Sequence, residues 1–429
     1  MKILIKNGRV IDPANNVSRV KNILIDKDRI KSYPKNIRAL EKKRDVKVID
    51  ASKKVVAPGL VDIHVHLREP GYEHKETIKT GTLSAAAGGF TSIACMPNTN
   101  PINDNASVTD YILLKARTEG VVNVYPIGAI TKNEEGVELA EIGEMYEAGC
   151  VGISDDGMPV LNSNLMRRAM EYVRSFNIPV ISHAEDKYLS DDGVMNEGKY
   201  STILGLKGIP NASEEVMIAR DIHLSELTGT HLHVCHVSTE GSVRIIKAAK
   251  KRSVNVTAEA TPHHFLLSDE EVLNYNTNAK MNPPLRTIRD VKALQKGLKD
   301  GTIDIIATDH APHSEDEKNV EFDKAPFGIV GLETALPLSL ILREKKILTL
   351  NEIIEKLTII PSKIINIDRG TLGINKIADV TIFDPNEKFT IDKDKFRSMG
   401  KNTPFNGWKL KGKVKYTIVS GKIVYTDQI

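Results

Sequence analysis

Short apolar runs punctuated by turn residues open and close the chain. Residues 2–34 hold Ile3-Leu4-Ile5, an NGR turn, Ile23-Leu24-Ile25 and a polar DKDR turn, and residues 377–427 hold ADVTIFDP, KYTIVSG and KIVY in the same style. Such runs predict all-β segments at both ends. From about 56 to 370 strand-like runs alternate with helical stretches such as 161–176 and 214–227, which predicts βα units and a parallel sheet. Eight candidate strands fall at 56–64, 91–96, 122–129, 150–154, 178–182, 231–235, 253–258 and 303–308. The expected fold class is α/β: a (β/α)8 TIM-like barrel over 56–370, clasped by a small β-sandwich domain built from 1–55 and 371–429.

Polar residues follow almost every candidate strand. The first ends in His64 and His66, and the second runs into Asn98. The fourth meets Asp155-Asp156, the fifth His183, the sixth His236 and the eighth Asp309-His310. In a (β/α)8 barrel the C-terminal strand ends converge on one face, so these distant residues are expected to meet around one point. Side chains two apart share a face of a strand, which puts His64 with His66, Leu232 and Val234 with His236, and Ile305 and Ala307 with Asp309. Asp62 shares the face of His64, where it either orients a ligand or serves the strand alone.

A single His-x-His carries little weight, since chance supplies about 0.3 of one in a chain of 12 His among 429 residues. His231 and His233 form a second such pair on the opposite face from His236 and read as structural, as do His74, His223 and His264; His263 is open. Imidazole with carboxylate suits Zn²⁺ or a similar divalent ion. Four His (His64, His66, His183, His236) and two Asp (Asp156, Asp309) are enough for two adjacent metals sharing a carboxylate.

Composition removes several alternatives. A net charge of only +3, with scattered lysines and no basic arm, argues against a nucleic-acid partner. No apolar run approaches the roughly 20 residues that span a bilayer. MKILIKNGRVID alternates like a strand rather than a leader, and Cys95, Cys150 and Cys235 are odd in number and set in apolar surroundings. Reduced cysteines and a cytoplasmic location are expected.

The strings PGLVDIHVHLREPG (58–71), MPNTNP (96–101), SDDG (154–157), SHAED (182–186), HVS (236–238), MNPPLR (281–286), TDHAPH (308–313) and APFGIVGLET (325–334) occur in this order. Together they resemble the dihydroorotases of the amidohydrolase superfamily, in the longer bacterial type that has an aspartate at the metal bridge. The resemblance implies that His64 and His66 hold the more buried metal, that His183 and His236 hold the more exposed one, and that Asp156 rather than Asp155 bridges them. Asp309 would be the last ligand and the proton carrier. Arg68, Asn98 and His313, with His66 beside them, would hold a substrate carboxylate, and Asn282 and the backbone at Phe327-Gly328 would grip a ring amide. One or two Zn²⁺ per chain are implied, two being favoured.

The activity implied is reversible interconversion of dihydroorotate and N-carbamoyl-L-aspartate in pyrimidine synthesis. A homodimer and an association with aspartate transcarbamoylase are implied as well. Relatives that open hydantoin, dihydropyrimidine or allantoin rings use a carboxylated lysine as bridge, and SDDG offers no lysine. Those neutral-ring hydrolases, and a non-catalytic partner of aspartate transcarbamoylase, are the competing readings. The charged segment 310–328 reads as a mobile loop over the site.

Overall fold

The computed structural model describes residues 2–427. Eight parallel segments close a barrel. They are Leu60–Val65, Phe90–Cys95, Asn123–Pro126, the single residue Ile153, Val180–Ser182, Leu232–Val234, Val256–Ala260 and Ile305–Ile306. Parallel ladders join the first three segments and the last four, and Ile153 bridges Gly128 on one side and Val180 on the other. Closure comes from the Val65–His310 bridge, where the His66 N–H donates to the His310 carbonyl at 2.8 Å. The fourth expected strand, 150–154, is thus reduced to one paired residue, and Asp155 and Asp156 just past it turn their carboxylates to other loops and to the imidazoles.

Helices cover the barrel because their sequences supply both an apolar stripe and a start signal. In Ser163–Val173 the buried set Leu165, Met166, Ala169, Met170 and Val173 repeats with the helical period. Ile288–Asp300 begins with Thr287, whose hydroxyl accepts from the Asp290 N–H while Asp290 reaches back. These faces and the outer faces of the strands form one continuous core. Ala94, Ile181 and Ile305 lie on three barrel segments and Ile127 and Cys235 just past two others, yet all five cluster together, so they fill the barrel interior.

The termini build the second unit. Its sheet runs Lys422–Thr426, Lys409–Val419, Val380–Thr390, Val55–Pro58, Lys2–Asp12, Val17–Asp26 and Arg29–Ser32, with Val46–Asp50 also paired to Lys2–Asp12. Ile3, Ile5, Ile23, Ile25, Val380 and Ile382 are among its separate core. The expected strand 56–64 is split: Val55–Pro58 pairs in this sheet, and only Leu60–Val65 enters the barrel. Gly59 allows the break, since a Cβ there would sit 2.0 Å from Thr91 Oγ1. Together these units are a (β/α)8 barrel with a small β-sandwich. No helix among the described residues is long and apolar enough to cross a membrane.

Just past Ile153, Asp155 pins the loop that follows the third strand. Its Oδ1 accepts the N–H groups of Ile130 and Thr131 at 2.7 and 3.1 Å, and Oδ2 accepts the Thr131 hydroxyl. Glu134 in the same loop is buried, with Oε1 unpartnered among the described residues. Burial first, and then Asp155, Asp156 and Asp104, push its carboxyl from an ordinary 4.5 up to about 9. A carboxyl raised on folding favours the native state while protonated; that contribution is lost as pH climbs from the unfolded value through the folded one. Glu134→Gln is therefore expected to gain stability over the native chain steadily between about pH 5 and 9, read from urea unfolding. A pH-independent difference would contradict the assignment.

Candidate metal centre and active site

Two strand ends need a left-handed backbone to aim their side chains. On the sixth strand Leu232 and Val234 face the helix-side core, whereas Cys235 faces the barrel interior. Simple alternation would therefore send His236 outward, contrary to the expectation of an inward row ending there. Its φ of 28° turns it back, and Asp309 at φ 49° and Arg68 at φ 63° are similarly placed. Such conformations are unfavourable for non-glycine residues, and they concentrate where a site demands a direction.

The six expected donors converge. His64 Nε2 lies 3.5 Å from Asp156 Oδ1 and 3.4 Å from Asp309 Oδ1. His66 Nε2 lies 3.4 Å from Asp156 Oδ2 and 3.1 Å from Asp309 Oδ1. On the other side of Asp156, His183 Nδ1 is 3.5 Å and His236 Nε2 3.9 Å from Oδ1, and the two nitrogens are 3.0 Å apart. Donors on a tetrahedral ion with bonds of about 2.0–2.1 Å stand about 3.3–3.4 Å from one another. Most of these separations are of that size. His64 Nε2 and Asp156 Oδ1 are buried without a hydrogen-bond partner among the described residues, both turned into the same space. The donor set and its two orphaned atoms fit a divalent cation.

Electrostatics agree. Burial opposes ionisation of Asp156 and Asp309, but His64 and its neighbours outweigh it and hold both carboxyls below the ordinary range. Burial likewise disfavours charge on His183, yet Asp156 and Glu185 raise it to about 9. His236, buried beside His183 and His64, falls to about 3. A cation bound there would supply positive charge to the same carboxylates.

Three of the four imidazoles are held from behind. His66 Nδ1 donates to Asn98 Oδ1 at 2.8 Å, His183 Nε2 lies 3.2 Å from Glu185 Oε2, and His64 Nδ1 lies 2.5 Å from Glu259 Oε1. Asn98, expected against a substrate carboxylate, thus also orients His66. Asp62 accepts the backbone N–H groups of His64 and Thr308, so it ties the first strand to the eighth and does not touch the ring. Glu185 and Glu259 were missed in the sequence, although an acidic residue inside the apolar run VTAEA was a usable signal.

The donors open onto a cavity of about 520 Å³. Arg68, Asn98, Asn282, His313, Phe327 and Gly328 all line it. Arg68 Nε donates to the Pro312 carbonyl at 3.2 Å, and His313 Nε2 donates to the Phe327 carbonyl at 2.8 Å. Asn282 Nδ2 donates to Glu185 Oε2 at 2.9 Å. The segment expected to be mobile is tied down: buried Lys318 donates to the carbonyls of Pro326, Gly328 and Lys280 at 2.8, 3.2 and 3.4 Å. His74 and His223 lie at the surface 3.7 and 3.9 Å from Glu317 and Glu226, and His264 is satisfied by Thr261 and Pro283. His263 stands outside the donor groups, its Nε2 buried and unpartnered among the described residues. All three cysteines are buried and free.

Comparison with known proteins matches this geometry. Residues 53–242 match a family described as Dihydro-orotase-like, and residues 270–425 match one described as Amidohydrolase family. The chain is 56% identical over 425 residues to a dihydroorotase of Geobacter metallireducens, covering 99% of this chain and 100% of that one. It is 56% identical over 428 residues to a dihydroorotase of Acetivibrio thermocellus, covering 100% of both. Among solved structures, the dihydropyrimidinase of Brevibacillus agri superposes with a TM-score of 0.86 at 22% identity, over 100% of this chain and 96% of that one. The L-hydantoinase of Arthrobacter aurescens gives a TM-score of 0.87 at 25% identity, over 99% and 96%. These structural likenesses give the fold, and the full-length identities give the family: the chain belongs to the dihydroorotases, metal-dependent cyclic amide hydrolases of the amidohydrolase superfamily.

Proposed function

We propose that this chain interconverts dihydroorotate and N-carbamoyl-L-aspartate, the ring-forming step of pyrimidine synthesis, at the centre built around Asp156. The observation that carries the reading is the pairing of a buried His/Asp donor cluster with a half-buried guanidinium, Arg68, in one cavity. The nitrogen and oxygen donors suit Zn²⁺. We assign one position to His64, His66 and Asp309, the other to His183 and His236, with Asp156 between them. That arrangement supports two ions per chain.

A divalent cation held there supplies Lewis acidity, polarising a carbonyl and making water acidic enough to ionise near neutral pH. The protein's own groups do the rest. Asp309, ionised in its histidine surroundings, accepts the proton of the attacking water and returns it to the departing ring nitrogen. In the biosynthetic direction it runs the same transfers backwards. Arg68 presents a planar fork to the substrate carboxylate, and Asn282 with the Phe327-Gly328 backbone holds the ring amide. The fork explains preference for an acidic ring over a neutral one. Resemblance alone adds a homodimer and association with aspartate transcarbamoylase, and the buried, free cysteines suit a cytoplasmic setting.

Side-by-side assay on dihydroorotate and hydantoin tests the choice of substrate. Turnover of the first is expected to dominate, and the reverse preference would move the chain among the neutral-ring hydrolases. Arg68→Ala is expected to lose about 1.5–3 kcal/mol of substrate binding, seen as a raised KM, with metal content intact. Parallel loss of metal would contradict the role of Arg68. Asp309→Asn should lower kcat about 10²–10⁴-fold in protein that still holds metal. Near-native turnover in that variant would remove Asp309 as proton carrier.

A further inference from the structure

An imidazole can offer a lone pair from one ring nitrogen only if its proton sits on the other. For His64 that choice falls to Glu259, a fully buried carboxylate on the seventh barrel strand. Its Oε1 is 2.5 Å from His64 Nδ1 and accepts the His236 backbone N–H at 3.1 Å, while Oε2 is 3.0 Å from His233 Nε2. An ionised carboxylate accepts and cannot donate, so both rings must turn an N–H toward it. Beyond it, His233 Nδ1 lies 2.9 Å from the Thr257 hydroxyl oxygen, which lies 2.8 Å from His231 Nε2. Glu259 thus accepts from both rings and from the His236 backbone.

We propose that Glu259 is the positioning residue of the metal centre. It locks His64 in the Nδ1–H tautomer and leaves Nε2, the orphaned atom, as the lone pair facing Asp156 and Asp309. Through the His236 backbone it also steadies the second pair of donors. His231 and His233, structural in the sequence reading, form the outer arm that holds the other oxygen. No Lys or Arg is bonded to Glu259 among the described residues, and its buried charge is costly unless a cation lies beyond His64. The inference rests on the metal-centre reading proposed above.

Zn²⁺ affinity, measured by competition with a chromophoric chelator, tests it in the full chain. Glu259→Gln is expected to weaken Zn²⁺ binding about tenfold to a hundredfold while keeping a native circular dichroism spectrum, and Glu259→Asp should recover part of the loss. Thr257→Val, which cuts the arm beyond His233, should stay within about twofold of the native chain. Native-like affinity in Glu259→Gln overturns the proposal, as does an equal loss in Thr257→Val. A native chain that binds no Zn²⁺ instead overturns the metal-centre reading itself. Should Glu259→Gln not fold, nitrogen NMR of the native chain loaded with cadmium decides. A protonated Nδ1 and cadmium coupling at Nε2 of His64 are expected, and coupling at Nδ1 overturns the assignment.

Discussion

Asp156 and Asp309 are buried against four imidazoles, and everything functional in this chain depends on how that concentration of buried charge is settled. Carboxylates rarely go inside unless paired or bound to metal. Here most of their separations from the surrounding nitrogens, 3.4–3.5 Å, are long for hydrogen bonds and of the size found between ligands of one ion, the 3.1 Å pair of His66 with Asp309 being the short one. The protein has thus assembled an anionic, lone-pair-rich cavity whose neutralisation by a divalent cation is also the source of its chemistry. Glu185, Asn98 and Glu259 behind the imidazoles serve the same end by fixing which atoms face inward.

The barrel makes this assembly possible. His64 and Asp309 are far apart in the chain, yet the first and eighth strands are neighbours, and Asp62 ties their backbones through Thr308. Left-handed backbone at His236 then re-aims a side chain that strand geometry alone would misplace, and Arg68 and Asp309 share that conformation. Local strain of this kind persists only because the packed strands and helices over-determine it. The cavity's far wall follows a similar logic, with Lys318 and Lys280 holding loop carbonyls near Phe327 and Gly328. Burial lowers these ammonium groups to about 7 and about 8, since among the described residues carbonyls and not carboxylates are bonded to them.

Much of this is legible in the amino-acid order alone. Polar residues at strand ends identify themselves because, in a βα chain, an apolar run leading straight into His or Asp marks a strand that delivers that side chain to the barrel's C-terminal face. His64, His183 and Asp309 all follow this pattern, and all three reach the donor cluster. Elsewhere the pattern is silent for physical reasons. The fourth strand shrinks to Ile153, and the carboxylates just past it turn to other loops and to the imidazoles, which no periodicity records. Val55–Pro58 and Leu60–Val65 read as one strand because Gly59 interrupts no hydrophobic pattern; only its contact with Thr91 betrays the break. The direction of His236 escapes alternation, which cannot anticipate a positive φ. Glu259 stays hidden because its partner His64 lies 195 positions away, and a lone glutamate carries no spacing to match.

Anomalous diffraction from crystals of the metal-loaded chain, recorded at the zinc edge, reaches the central claim most directly. Anomalous density is expected among His64, His66, Asp156 and Asp309, with a second peak toward His183 and His236. Density that avoids Asp156, or a cluster that stays empty while zinc binds elsewhere on the chain, would contradict the claim.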